Sequence, residues 1–226
     1  MHSRKENTTT IICIIVIAIC IVAFFAINSQ NRVNSSFKFN EHLNETIVTI
    51  DINDNTHELS LQELSYYILV MESNVNHTAA LYNPDNMYSY WNLYISNTFV
   101  KSEAKTVCMD MFIRDNIYYL EALNSGFTLD NEEIKTTQDE AAYIYSNLTG
   151  KQVYSTELDM EALYNIRFKI NLATKYIAHL MENQNLSKDE LNNEGEYYTK
   201  IYDKYKINIE SIWDNIELGD ITITIE

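Results

Sequence analysis

Chain breakers are almost absent from this polypeptide. Pro84 is its single proline, and Gly126, Gly150, Gly195 and Gly219 are its glycines. Sandwiches and barrels need many tight turns, and those turns draw on glycine and proline. A chain of 226 residues with so few breakers is expected to be mainly α, built from long uninterrupted helices. Hydrophobic residues make up 46%, enough to fill a core once the N-terminal segment is set aside.

That N-terminal segment stands apart. Ile11 to Ile27 reads IICIIVIAICIVAFFAI and carries no charge. As a helix its 17 residues reach about 26 Å, near the lower limit for crossing a bilayer. Arg4 and Lys5 precede it, which favours a cytoplasmic N-terminus. A cleaved signal peptide is the alternative, but cleavage after Ala26 would place Phe24 where a small residue is wanted. Ile19 before Cys20 argues against lipid modification of that cysteine. The expected layout is a cytoplasmic tail (1–10), a transmembrane helix (11–27), a polar linker (28–44) and an extracytoplasmic helical domain (45–226). The protein would be a single-pass component of the cell membrane.

Charge narrows the partners. Beyond the span, 14 basic and 31 acidic residues leave −17 on the outer part. Such a surface repels phosphate backbones, so no nucleic-acid partner is expected. Its first use is solubility. Cys108 is the one cysteine outside the span, so no disulfide can form within the domain. At a helical position it reads as a small buried hydrophobe.

Along the outer domain, Thr46 to Ile52 is β-branched and alternating and predicts a strand. Asp51 to Thr56 reads as a turn. Ser60, with Glu63 three residues on, predicts a helix start, and the helix should run to about Asn74. Asn83-Pro84-Asp85 breaks the chain. Met87, Tyr90, Trp91 and Tyr94 then recur at helical spacing. Further helices are expected over 102–124, stopped by Gly126, from Leu129 to near Gly150, over 156–182, over 187–205 and within 207–218. Ile221 to Ile225 alternates strictly and predicts a terminal strand. The first and last strands could then pair as a small β element beside the helices.

Familiar catalytic signatures are missing. There is no GxGxxG, P-loop, HExxH or CxxC. His2, His42, His57, His77 and His179 are scattered. Asp51-Ile52-Asn53-Asp54-Asn55 resembles the start of a calcium loop. However, Thr56 stands where glycine is required and Gln62 where a bidentate glutamate is needed. The acidic pairs Glu132-Glu133 and Asp139-Glu140 point to different helix faces and suit helix N-termini. No catalytic residue, metal ligand or small-molecule cofactor is expected. One cluster remains: Tyr66, Tyr67, Tyr88, Tyr90, Trp91 and Tyr94. These rings could be core packing with hydroxyls at the edge. They could instead line a cleft for extended polypeptide, with Tyr66, Tyr67, Tyr90, Trp91 and Tyr94 as its contacts.

The order of features resembles a known family. The strand and turn from Ile47 to Asn55, followed by Leu59-Ser60-Leu61-Gln62-Glu63-Leu64, resemble the opening of the SurA/PrsA-type extracytoplasmic chaperone domain. Tyr90-Trp91 and the run Tyr119-Leu120-Glu121-Ala122-Leu123-Asn124-Ser125-Gly126, restarting at Leu129-Asp130-Asn131-Glu132-Glu133, are similar to that family's next marks. The segment from Tyr198 to Trp213 resembles its closing helix and tryptophan. The likeness spans roughly 46–226. It implies a SurA N-like helical lobe, held on a Gram-positive membrane, that binds unfolded or exported polypeptides. The family often inserts a parvulin prolyl isomerase module. This chain has no adjacent glycines, and a short stretch between the helices ending near Glu182 and starting near Ser187, so isomerase catalysis is not expected. The alternatives are a divergent prolyl isomerase and a structural partner in an envelope or secretion complex.

Overall fold

The computed structural model describes residues 37–53 and 55–219. The expected tail, apolar span and terminal strand at 221–225 lie outside the described residues, as does the linker up to residue 36. Among the described residues no helix is long and apolar enough to cross a membrane. The elements below all belong to the unit that starts at Phe39.

The chain enters this fold earlier than its polar linker suggested. Phe39, in a 3-10 turn over Phe39–Glu41, and Leu43 are both buried. Strand β1 (Thr46–Ile52) forms where the β-branched run predicts it, with Ile47, Val48 and Ile50 fully buried. Asn53 turns the chain with φ +47°, a conformation asparagine tolerates. Strand β2 (Asn55–Ser60) then pairs back antiparallel, His57 opposite Ile50. On the other edge of β1 lies β5 (Lys206–Ile209), also antiparallel, with Ile207 opposite Ile50. The sheet order is β2-β1-β5. This corrects the expected pairing of the first strand with the terminal one. Both edges of β1 are taken, by short strands whose side chains mostly stay outside the core: β2 is largely polar, and the alternation of β5 covers only four residues.

The helices build the rest, and the domain is mainly α with this small antiparallel sheet. Helix α1 spans Leu61–Tyr82. Ser60 Oγ accepts the Glu63 N–H at 3.2 Å, but Glu63 turns away from the cap to pair with Lys169 at 2.6 Å. Helix α1 continues well past Asn74 until the Asn83-Pro84 break. A short helix α2 (Tyr88–Trp91) follows. Then comes a hairpin of β3 (Tyr94–Ile95) and β4 (Thr98–Phe99), where continued helix was expected. Ser96 and Asn97 both take positive φ, +51° and +69°, the two-residue turn whose twist matches paired strands.

Helix α3 spans Val100–Asn124 and is the central element, packed most extensively against α6 (Met160–Asn183). Its buried face carries Cys108, Phe112, Ile117, Tyr118 and Ala122, while Val107 stays exposed and Met111 half-buried. Burial pushes the Cys108 thiol far above its usual range, so it is an inert hydrophobe. Gly126 ends the helix region at φ +76°. Helix α4 (Asn131–Asn147) opens on a full capping box, Asp130 with Glu133, and lies on α6. Gly150 starts a new helix, α5 (Gly150–Thr156), instead of ending α4, because Thr149 and Gln152 form a second capping box. Helix α6 starts at Met160, capped by Asp159, four residues after the start expected at 156.

The expected helix over 187–205 is two: α7 (Lys188–Leu191) and α8 (Glu196–Tyr202). Between them a Cβ on Gly195 would come within 2.2 Å of the Glu190 carbonyl, so the kink requires glycine. The Tyr118 hydroxyl donates to the Leu191 carbonyl at 2.8 Å and fixes α7 to α3. After β5 a 3-10 turn (Ser211–Asn215) buries Trp213, and Ile216 and Leu218 follow it into the core.

Candidate functional site

The tyrosines and tryptophan read as one cluster divide into two places. Tyr66 and Tyr67 sit on the second turn of α1, against α3 and α6. Trp91 donates its indole N–H to Asn76 Oδ1 at 2.9 Å, ten positions further along α1. Ten helical residues cover about 15 Å, so no cleft is lined jointly by Tyr66, Trp91 and Tyr94.

The first place is a polar lock. Tyr67 is buried and donates to Asp115 at 3.3 Å; its ring packs edge-on against Phe112. Burial and the adjacent Asp115 charge push its hydroxyl well above the usual tyrosine range. Burial also raises Asp115, against the opposing pull of the Arg114 guanidinium bonded to it. The half-buried Tyr66 accepts from Arg167 at 3.3 Å, and the same guanidinium donates twice to Glu140 and once to Asn171. Asn171 in turn donates to Thr137 and Glu140. This ties α1, α4 and α6 together. Hydrogen bonds from Asn171 and Arg167 hold Glu140 below its ordinary range despite partial burial. A neighbouring depression of about 410 Å³ is bordered by Glu63, Lys169, Tyr119 and Phe168. Its cation is already paired with its anion. These two tyrosines therefore do structural work, and polypeptide contact through them is not supported.

The second place differs in kind. Trp91 is buried, but around it the far end of α1, α2 and the β3–β4 hairpin present their apolar groups to solvent. Leu81 and Tyr82 end α1, and Met87 and Tyr88 open the next turn. Tyr94, Ile95 and Phe99 occupy the hairpin. These seven are nearly half of the 15 exposed large hydrophobic residues of the described chain, drawn from nineteen consecutive positions. Tyr82 and Tyr90 pack with ring centroids 5.5 Å apart, and Tyr94 and Phe99 meet edge-on at 5.2 Å. The rings are thus held in place while their outer faces stay open. Isolated exposed hydrophobics are ordinary; a concentration of them on neighbouring elements makes this tip the candidate contact surface.

Of the expected contacts, Tyr90 and Tyr94 belong to this tip, Trp91 is its buried foundation, and Tyr66 and Tyr67 lie elsewhere. Sequence reasoning missed Leu81, Tyr82, Ile95 and Phe99. The signal for the hairpin was present in Tyr94-Ile95-Ser96-Asn97-Thr98-Phe99, two β-prone pairs about a two-residue turn.

The tip rests on a chain segment from the other end of the domain. Trp213 lies under Lys105 Nζ, 4.8 Å from the ring centroid. Burial lowers the Lys105 pKa, against the raising effect of Asp214 and Glu217. Glu217 reaches Lys101 at 3.7 Å. Gly219 donates its N–H to the buried Glu72 carboxylate at 2.7 Å. A Cβ on Gly219 would stand 3.0 Å from the Trp91 ring, and its φ of +100° also selects glycine. Among the described residues no group of three or more histidine, cysteine or acidic side chains could hold a metal ion. No protein-family model, curated protein or solved structure matches this chain.

Proposed function

We propose that this chain is a membrane-tethered, SurA/PrsA-like chaperone lobe without isomerase catalysis, which holds unfolded or newly exported polypeptides at the outer face of a Gram-positive membrane. The observation that carries the reading is the exposed apolar tip between Leu81 and Phe99 on an otherwise acidic domain. Large amphipathic rings give contact area at low entropic cost and do not demand one partner shape. The apolar span at 11–27 supports tethering, with the basic Arg4 and Lys5 on the cytoplasmic side. Tethering raises the local concentration where chains emerge and compensates for weak binding. The net acidity keeps a sticky tip soluble.

A fragment starting at Phe37 should slow aggregation of a denatured client, and Tyr94→Ser with Phe99→Ser should abolish that effect without unfolding the domain. No slowing by the unmodified fragment at several-fold molar excess sinks the proposal.

A further inference from the structure

We propose that the apolar tip between Leu81 and Phe99 is a self-association surface, at which two copies of this chain meet about a twofold axis. Charge is the first observation. Residues 73–100 carry a single charged side chain, Asp85, in a chain of which 21% is charged. Interface cores show this depletion of charge together with enrichment in tyrosine, phenylalanine and methionine. The tip has both.

The same depletion selects the partner. Around a twofold axis, groups near the axis face their own copies, so a charged group there meets like charge. A surface that joins to itself must therefore be nearly free of charge, and this one is. A surface built for a different protein draws on complementary charges for register and specificity. A bilayer fits less well. Segments that lie on membranes set lysine and arginine beside their apolar groups, and residues 73–100 contain neither. The next two cations, Lys101 and Lys105, face Glu217 and Trp213.

Area agrees. Tyr82, Tyr88, Tyr94 and Phe99 are 46–62% exposed. At about 150–250 Å² per ring they leave roughly 400 Å² open. Leu81, Met87 and Ile95 bring the tip to about 700 Å², close to the roughly 800 Å² per partner of a standard interface. The backbone agrees as well. Among the described residues β3 pairs with β4 alone, which leaves its outer edge for the β3 of a second copy. Two like strands paired antiparallel are themselves related by a twofold axis. The dimer does not depend on the chaperone reading; that a polypeptide client must displace the second copy does.

The test uses the full chain with Cys13→Ser and Cys20→Ser, in phosphatidylcholine vesicles. One cysteine is introduced at a time on the hairpin, by Tyr94→Cys, Ile95→Cys or Phe99→Cys. Cys108 is kept, because it is buried. On mild oxidation at least one hairpin cysteine should form an intermolecular disulfide several-fold faster than Tyr143→Cys, which is exposed on α4. Rates no faster than that control at all three positions overturn the proposal. Hairpin cysteines that neither link nor react with a membrane-impermeant maleimide lie in the bilayer, which also overturns it.

In the chain that links fastest, Leu81→Asp should slow linkage several-fold. Leu81 is among the exposed residues, so this change leaves the core intact. Unchanged linkage overturns the proposal. Raising NaCl from about 0.05 to about 0.5 M should speed linkage relative to the control, because screening weakens the repulsion between two acidic domains. Linkage that slows with salt marks a charged contact and overturns the proposal. Linkage that a denatured client does not slow supports the dimer and counts against the proposed function alone. Client retention by a chain that does not link overturns the dimer alone.

Discussion

Trp91 and Tyr94 are three residues apart and chemically alike, yet they should respond oppositely to truncation. Trp91 is 2% exposed, its indole N–H is bonded to Asn76, and Gly219 is pressed against its ring. Trp91→Ala removes that ring from the core and should cost about 3–5 kcal/mol. Tyr94 is 62% exposed and loses chiefly its edge-on contact with Phe99. That contact is worth about 1 kcal/mol at most when so open to water. For a domain of this size each kcal/mol moves Tm by about 2–4 °C. Trp91→Ala should therefore lower Tm by roughly 6–20 °C and Tyr94→Ala by no more than about 4 °C. Urea unfolding followed by far-UV circular dichroism gives the same comparison at 25 °C, provided the two m-values agree. Client retention should rank the other way, with Tyr94→Ala losing binding while the fold stays intact. Comparable destabilisation by both substitutions would refute the division into a buried foundation and an open tip.

Two further outcomes follow from the polar lock. Asp115 titrates above its usual range because burial outweighs Arg114, so in the acid range the folded state binds more protons than the unfolded one. Its contribution to stability is therefore present at low pH and lost as pH rises through the folded-state pKa. The stability of Asp115→Asn relative to the unmodified protein should increase upward from about pH 4, measured by urea unfolding at several pH values, and a flat or falling difference contradicts the assignment. Arg167→Met should destabilise by about 1–3 kcal/mol, because the partly buried Glu140 and Asn171 lose their donor, and Glu140→Gln in the same protein should recover part of that loss.

Where the chain satisfies itself locally, its fold was legible. The Asp130 and Ser187 helix starts, the Pro84 break, the Gly126 stop and the strand from Thr46 each depend on a few neighbouring residues. What escaped depends on distant partners. β2, reading NTHELS, and β5, reading KINI, bury few side chains; their place is set by hydrogen bonds to β1. Strict alternation at 221–225 is the louder signal, and it predicts for that segment the role that Lys206–Ile209 holds.

The aromatic cluster failed for a similar reason. Helical spacing through Tyr94 treats 87–94 as continuous, but Ser96 and Asn97 reverse the chain and turn Tyr94 outward. Tyr66 and Tyr67 are drawn into hydrogen bonds with Arg167 and Asp115, partners 101 and 48 positions away.

The sheet order also bears on when this domain can exist. β1 is made early, but one of its two neighbours, β5, arrives about 160 residues later, after the eight described helices. At ordinary synthesis rates that interval is roughly 8–30 s. Throughout it, Ile47, Val48 and Ile50 belong to a strand with an unfilled edge. Joining ends so far apart carries a loop-closure cost of about 4–5 kcal/mol, which the helices must offset by packing first. The nascent chain is thus aggregation-prone until β5 is made, and substitutions in the late KINI strand should reduce yield more than they reduce the stability of the finished fold.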